Sequence, residues 1–465
     1  MLFNTPQFFA FLSVVLLLFY YGPRAWRNVM LLLASYFFYM CWNPKFILLL
    51  LSLTVIDYTA ALWIVRSTTP RTRKLALIAS LGANLGLLGF FKYYNFFAGN
   101  LAYLLDRPEH AFSLSIILPL GISFHTFQSM SYVVDVYRGQ QEPIRNPIDY
   151  ALFISFFPQL VAGPIVRARE FFADLYHWRK PSTDEALSGM LLILLGLAKK
   201  MVMADQFAQI ADGYFKNLTG QPGMLTAWSG VIAFGIQIYF DFSGYTDMAI
   251  GMAKLLGFHF PINFRRPYLA SSMTDFWHRW HISLSRWLRD YLYISFGGNR
   301  NGRLMTYRNL FLTMLLGGLW HGASWNFVVW GGYHGVLLAV ERMFRRDGPL
   351  ASERWTPLYP IQAVITFALA NIAWVFFRAA NFHESLWILR QMFFGGKGTM
   401  LIPRWALYLA LTTLVLALLE EKKEWFERVC RWPSWAYGAA CAILLLAVEL
   451  LGFTEAAVPF VYFQF

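Results

Sequence analysis

The sequence predicts an all-α polytopic membrane protein with about 10–12 transmembrane or re-entrant helices, and three observations lead there. Residues of the AVILMFWYC set make up 57% of the 465 positions, against about 45–50% apolar in soluble globular chains. Charged residues are only 14%, where a water-facing surface uses about 25%. Apolar stretches close to bilayer-crossing length then recur along the whole chain. Too few charges remain to cover an exterior in water, so most of it faces lipid. Intrinsic disorder, a disulfide scaffold and a soluble enzyme are excluded. The 18 Trp and 24 Tyr residues suit the membrane interface.

The spans fall at residues 8–21, 29–42, 46–65, 75–91 and 112–134, then 187–204, 225–242, 310–340, 359–377, 407–419 and 437–453. The apolar stretch 153–166 is interrupted by Pro158, Gly163 and Pro164. Such a segment is tolerated at depth only when buried in protein or lining a wet cavity. Basic residues set the orientation. Arg24 and Arg27 follow the first span, Arg66, Arg71, Arg73 and Lys74 the third, and Arg138 and Arg145 the fifth. The loops between carry only Lys45, then Lys92 and Arg107. That alternation puts the N-terminus outside and the odd-numbered exits in the cytoplasm. The run from Met1 to Tyr21 has no basic region before it and no small-residue cleavage site, so it reads as a retained span. No repeat of related transporter halves is visible, and residues 1–465 read as a single integral membrane domain.

Lys plus Arg total 39 and Asp plus Glu 26, a formal charge of +13. On a soluble domain this balance would point to nucleic acid. On a membrane protein it follows from the positive-inside bias and anionic headgroups, so membrane lipid is the expected partner and nucleic acid is not. Cys41, Cys430 and Cys441 show no CxxC spacing, and neither a disulfide framework nor a metal site is read from them.

Residues 240–335 differ in character. Asp241 and Asp247 sit in an otherwise apolar run, where a carboxylate needs a partner or a cavity. Asp241 and Tyr245 are four apart and share a helix face. Pairing of Asp241 or Asp247 with Arg265 or Arg266 is the expected structural role. A cationic stretch follows, with Arg265, Arg266, Arg279, Arg286, Arg289, Arg300, Arg303 and Arg308. Within it, residues 274–292 read as one amphipathic helix with Thr274 or Asp275 as N-cap. Phe276, Trp277, Trp280, His281, Leu284, Trp287, Leu288 and Tyr291 recur at the spacing of one buried face. Arg279, Arg286 and Arg289 lie largely off it. Two readings stand: an interfacial helix on anionic lipid, or a surface for the phosphates of an anionic coenzyme. His278 and His281 are three apart, but no Cys or Glu completes a ligand set, so no metal is expected.

His321 stands out. It lies in Leu315-Leu-Gly-Gly-Leu-Trp-His-Gly-Ala-Ser-Trp325, deep in an apolar span between small residues. Polar groups at that depth are costly, which makes function the default reading, and neutral imidazole is the natural general base near neutral pH. Gly317, Gly318 and Gly322 would let a substrate or a second backbone approach the ring. The alternative is a histidine that only hydrogen-bonds a neighbouring helix. His334 is 13 residues on, about 20 Å along an unbroken helix. It joins His321 only if the Gly331-Gly332 region bends the chain.

These residues lie in strings that resemble the membrane-bound O-acyltransferase family, in its bacterial polysaccharide O-acetylation branch. The strings are Gly121-Ile-Ser-Phe124, Tyr132-Val-Val-Asp-Val-Tyr-Arg138, Tyr239-Phe-Asp-Phe-Ser-Gly-Tyr245 and Asn263-Phe-Arg-Arg-Pro-Tyr268. They continue with Trp280-His-Ile-Ser-Leu-Ser285, Trp287-Leu-Arg-Asp-Tyr-Leu-Tyr293, Gly297-Gly-Asn-Arg300, the run 307–323, Trp330-Gly331, His334-Gly335 and Trp374-Val-Phe-Phe-Arg-Ala379. The likeness is dense from about residue 115 to 340. It implies a ring of helices around a central acyl-transfer channel, in the bacterial inner membrane. His321 matches the family's catalytic histidine and His281 its second characteristic one. Asp241, Asn299 and His334 sit in family motifs as supporting or channel-lining residues. Two places depart from the pattern. His125 and Gln128 stand where alginate members often carry Tyr and Glu, and Asp275 and His278 replace the usual Glu and Arg beside Phe276-Trp277.

The resemblance implies acetyl transfer from a cytoplasmic thioester, acetyl-CoA, to an exported polysaccharide of alginate, cellulose or peptidoglycan type. No bound cofactor is expected; the coenzyme is a substrate. His321 would be the general base, and His281 or nearby donors would stabilise the oxyanion. Arg279, Arg286 and Arg289 would attract the donor phosphates. A periplasmic esterase-like protein would be the partner and immediate acceptor. The rivals are transfer of another acyl group, such as D-alanine to teichoic acid, and a non-enzymatic transporter or flippase.

Overall fold

The computed structural model describes residues 1–108, 110–344, 357–423, 425–452 and 460–461, and among these no strand occurs. Among the described residues six helical stretches are long and apolar enough to cross a membrane: Pro44–Arg66, Pro70–Leu104, Thr183–Phe215, Met224–Leu255, Tyr359–Arg378 and Ser434–Leu451. The chain divides into two compact units, one of residues 1–190 with 248–261, the other of 191–247 with 262–465.

The first unit opens with α1 (Pro6–Tyr21), α2 (Arg27–Met40), α3 (Ile47–Arg66) and α4 (Pro70–Leu88), which runs through a π-turn into α5 (Tyr94–Leu104). Pro6 and Pro70 stand in first turns, where a missing N–H leaves nothing unpaired. Buried Asp57 of α3 ties three helices together. It accepts from Ser80 Oγ at 2.5 Å and Asn84 Nδ2 at 2.8 Å on α4, and from Ser129 of α6 (Ile122–Tyr137). The predicted span 112–134 needs correction, because helix begins only at Ile122. Pro119 removes a donor before it, and Gly121 takes a left-handed turn (φ 70°) in which a Cβ would meet the Leu160 carbonyl at 2.5 Å.

The interrupted stretch at 153–166 is buried in protein, as two short helices, α7 (Pro147–Ser155) and α8 (Phe157–Leu160). The break frees the Phe153 carbonyl, and the amides of Gln128 and Gln159 occupy it at 3.0 and 2.6 Å. Next come α9 (Ala168–Tyr176) and α10 (Thr183–Ala198). A reciprocal box opens α10: Ser182 Oγ accepts from Glu185 N at 3.2 Å, and Glu185 accepts from Ser182 N at 2.8 Å.

In the second unit α10 continues through a π-turn at 199–204 into α11 (Asp205–Phe215). The helix predicted at 225–242 extends as α12 (Met224–Leu255), because Asp241 and Asp247 are paired within it and do not end it. The single amphipathic helix predicted at 274–292 is three pieces: α13 (Met273–Arg279), α14 (Ile282–Trp287) and a π-turn at 288–293. Its N-cap is Ser272, whose hydroxyl accepts from Asp275 N at 3.1 Å, and neither Thr274 nor Asp275 takes that role. The stretch predicted at 310–340 is a hairpin of α15 (Gly302–His321) and α16 (Trp325–Phe344). Gly322 ends α15 in extended backbone, with the Phe327 ring in the space a Cβ would need. The unit continues with α17 (Tyr359–Arg378), α18 (Phe382–Phe394), α19 (Arg404–Lys423), α20 (Trp425–Val429) and α21 (Ser434–Leu451). The last position of the span predicted at 437–453, Phe453, lies outside the described residues.

Candidate active site

The α15–α16 hairpin is held at backbone distance. A Cβ on Gly318 would lie 2.9 Å from Gly331 Cα, and one on Gly335 would lie 2.9 Å from Phe311 Cα. This close approach places His321, the last residue of α15, against Trp330 of α16. The two rings are 5.0 Å apart and nearly perpendicular at 81°. Trp320 at 4.9 Å and Phe377 of α17 at 5.3 Å close the other sides, and His321 is 5% exposed. A buried imidazole in an aromatic box is shielded from bulk water, as acyl transfer to a hydroxyl other than water requires.

His281 occupies the break between α13 and α14, in the left-handed region at φ 42°. Asn263 holds it there. The Asn263 backbone carbonyl accepts from Ile282 N at 2.9 Å, and its Oδ1 accepts from Ser283 N at 3.1 Å and Ser283 Oγ at 3.0 Å. The same Oδ1 lies 3.1 Å from His281 Nδ1. Since that oxygen is an acceptor, the Nδ1 of His281 carries the proton and its Nε2 presents a lone pair. The ring is fully buried, with Phe242 edge-on at 4.7 Å and Trp320 at 6.3 Å. Both site histidines therefore stand against Trp320.

His334 reaches the same aromatic cluster, but not through a bend at Gly331-Gly332, which lie inside unbroken α16. The reversal between α15 and α16 brings it there. Its ring packs 4.7 Å from Trp330 and 5.1 Å from Trp277.

Asp241 and Asp247 do not pair with Arg265 or Arg266. Lys200 Nζ lies 2.7 Å from Asp241 and 2.7 Å from Asp205, and Lys199 Nζ 2.6 Å from Asp247. Gly244 explains the choice: a Cβ there would meet the Gly196 carbonyl at 2.7 Å, so α12 touches the end of α10 and meets its lysines. Arg266 instead pairs with Glu421 of α19. Lys199 and Lys200 escaped sequence reasoning, although two adjacent lysines ending an apolar span were a usable signal, and Asn263 was named only as part of a motif string, with no role.

The predicted cationic residues divide. Arg279 is buried, with Nε 2.8 Å from Asp275 and Nη1 2.9 Å from Glu421. Arg286 and Arg289 are exposed and line a cavity of about 470 Å³. Its exposed wall also holds His278, Asn299 and Arg342, while Trp277, Leu288, Met314 and Leu338 form the buried wall. Asn299 Oδ1 accepts from the Tyr293 hydroxyl. Arg342, on the far arm of the hairpin, was not singled out from sequence. Leu288 connects cavity and site: its Cδ1 is 3.2 Å from the Cβ position of Gly317, one turn before His321. Among the described residues no group of three or more His, Cys, Asp or Glu side chains forms a metal-ligand set.

The arrangement provides a shielded imidazole beside an amphiphilic cavity with a cationic rim. The sequence model described as the membrane-bound O-acyltransferase family matches residues 141–382, more than half of the chain. The chain belongs to that family. It is a membrane-bound O-acyltransferase, an enzyme of the multi-pass membrane class. It is 44% identical to the probable alginate O-acetylase AlgI of Azotobacter vinelandii, over 86% of this chain and 79% of that one. It is 42% identical to the peptidoglycan O-acetyltransferase of Helicobacter pylori, over 84% of this chain and 80% of the relative. The teichoic acid D-alanyltransferase of Bacillus subtilis is 31% identical, over 60% of this acyltransferase and 72% of its own length.

Proposed function

We propose that this acyltransferase moves an acetyl group from cytoplasmic acetyl-CoA to a hydroxyl on the far side of the inner membrane, for O-acetylation of an exported polysaccharide of alginate, cellulose or peptidoglycan type. The observation that carries the reading is His321, buried in its aromatic box two turns of α15 beyond a cavity edged by exposed arginines. Identity of 42–45% to O-acetylating relatives, against 28–31% to D-alanyltransferases, favours acetyl as the group moved.

Arg286, Arg289 and Arg342 attract the coenzyme phosphates. The apolar wall of Trp277, Leu288, Met314 and Leu338 takes the thiol arm. Met314 precedes His321 by seven residues on α15, about 10 Å along the axis, so a flexible arm entering the cavity reaches the imidazole. His321 then removes the proton of the attacking hydroxyl. His281, in the tautomer set by Asn263, is a supporting residue on the other side of Trp320. The Asp241–Lys200 pair holds α12 and α11 in place. The hydroxyl belongs to a periplasmic esterase-like partner that passes the acetyl group to the polymer.

The test is incubation of the purified protein and its co-encoded partner with labelled acetyl-CoA and candidate polymers. Label is expected in partner and polymer, and the His321→Ala variant, still monodisperse in detergent, transfers none. Transfer by that variant removes His321 from its role.

A further inference from the structure

Acyl transfer from a thioester to a hydroxyl passes through a tetrahedral oxyanion, which needs a hydrogen-bond donor placed where the charge develops. His281 does not supply it in its neutral form. Its Nδ1 proton is directed to Asn263 Oδ1, and its Nε2 accepts. Arg286, Arg289 and Arg342 are exposed at the cavity rim, away from the buried box.

A different donor stands beside the base. Trp330 is 1% exposed, and its indole Nε1 has no hydrogen-bond partner. A buried N–H left unmade costs about 1–3 kcal/mol, and most buried side-chain polar atoms avoid that cost. Trp277, 5.8 Å away on the cavity wall, likewise has an unpartnered Nε1, whereas the adjacent Trp374 donates to the Tyr268 hydroxyl at 3.1 Å. The Trp330 indole, by contrast, is perpendicular to the His321 ring at 5.0 Å and keeps its donor unused. It is locked from four sides by Phe377, Trp374, Trp277 and His334, at 5.6, 6.2, 5.8 and 4.7 Å. A fixed donor with no ground-state partner costs no reorganisation when charge appears.

We propose that the indole N–H of Trp330 is the oxyanion donor of the reaction. This rests on the acyl-transfer reading above and adds a catalytic residue to it. The hydroxyl oxygen forms a bond to the thioester carbon while its proton passes to His321. The carbonyl π pair moves to oxygen, and that oxyanion accepts the Trp330 N–H without taking its proton. When the carbonyl re-forms, the C–S bond breaks, and the thiolate takes the proton back from His321. Ester and free thiol leave, with the enzyme unchanged.

The test replaces Trp330 by 3-benzothienylalanine, which keeps the ring shape and puts sulfur where the N–H was, with Trp330→Phe as a second variant. Both are assayed with labelled acetyl-CoA beside wild type, after size-exclusion in detergent. The expected result is a fall in kcat of about 100-fold or more with KM for acetyl-CoA unchanged, the pattern of a donor used only in the transition state. A benzothienylalanine protein with wild-type kcat overturns the proposal, as does a loss confined to KM. The thioester carbonyl is common to all acyl donors, so a wild type that prefers another acyl group corrects the function and leaves the comparison intact. A His321→Ala protein that stays active removes the acyl-transfer reading itself.

Discussion

The Lys200 ammonium lies 2.7 Å from the Asp241 carboxylate, with both side chains almost wholly buried. Asp205 is a second partner of the same lysine, at 2.7 Å, and Asp241 also accepts the Val461 backbone N–H at 2.7 Å. Removing a buried pair's partner costs about 3–5 kcal/mol because a charge is left alone. Lys200→Met strands two carboxylates and is expected to lower the thermal midpoint in detergent sharply. Asp241→Asn leaves the Lys200–Asp205 pair and keeps an acceptor for Val461, so its loss is smaller. Equal sensitivity of the two variants would refute this division.

The arginines of the central segment are expected to separate into two classes. Arg279→Ala leaves Asp275 without its guanidinium and Glu421 with Arg266 alone, and lowers stability by about 3 kcal/mol. Arg286→Ala, Arg289→Ala and Arg342→Ala leave the melting curve in place and raise KM for acetyl-CoA roughly 5-fold or more each, through lost charge-assisted contacts. Steady-state kinetics and melting curves on the four variants check both halves. A KM effect for Arg279→Ala at full stability would move it to the donor site.

Periodicity and composition made the helical membrane class and most spans readable, since lipid exposure writes itself into long apolar runs. His321 was readable for a related reason: a polar group in such a run has few structural excuses. What stayed hidden depends on pairs distant in sequence. Nothing local to Trp280-His281 announces a helix break, because Asn263 imposes it from 18 residues upstream. The partner of Asp241 lies 41 residues away on another helix, and proximity in sequence wrongly favoured Arg265 and Arg266. Arg279 shares the composition of Arg286 and Arg289, yet Glu421, 142 residues on, decides that it is structural. The hairpin at 322–324 was missed because a continuous apolar run masks a reversal made by one glycine and one phenylalanine ring.

Gly318 and Gly332 provide a contrast within that hairpin. A Cβ on Gly318 would meet the Phe327 carbonyl at 2.3 Å, whereas one on Gly332 finds nothing nearer than a Phe311 ring carbon at 3.8 Å. Gly318→Ala must push α15 and α16 apart, at about 1–3 kcal/mol. The same shift moves His321 relative to Trp330, so kcat falls even in the folded fraction. Gly332→Ala is expected to keep wild-type stability and activity. Loss of activity in both, or in neither, contradicts the packing argument.

The first unit has a pH dependence of its own, at His259. Its Nδ1 lies 3.0 Å from Asp174 Oδ1 and its Nε2 3.3 Å from Glu185 Oε1, joining α9 to the start of α10. Burial alone would lower the imidazole pKa, but the hydrogen bonds and charges of Asp174 and Glu185 outweigh it and raise the value above the ordinary one. Arg179, bonded to Glu185 at 2.6 Å, is the opposing charge. A histidine with a raised folded-state pKa stabilises the fold fully below its unfolded value of about 6.5 and ceases to do so as pH rises through the folded value. The melting temperature in detergent is therefore expected to decline from about pH 6.5 upward. His259→Gln, which hydrogen-bonds but does not titrate, flattens that slope. The side chain is half exposed, so added salt weakens the effect by screening. A wild-type slope that survives the substitution places the titrating group elsewhere.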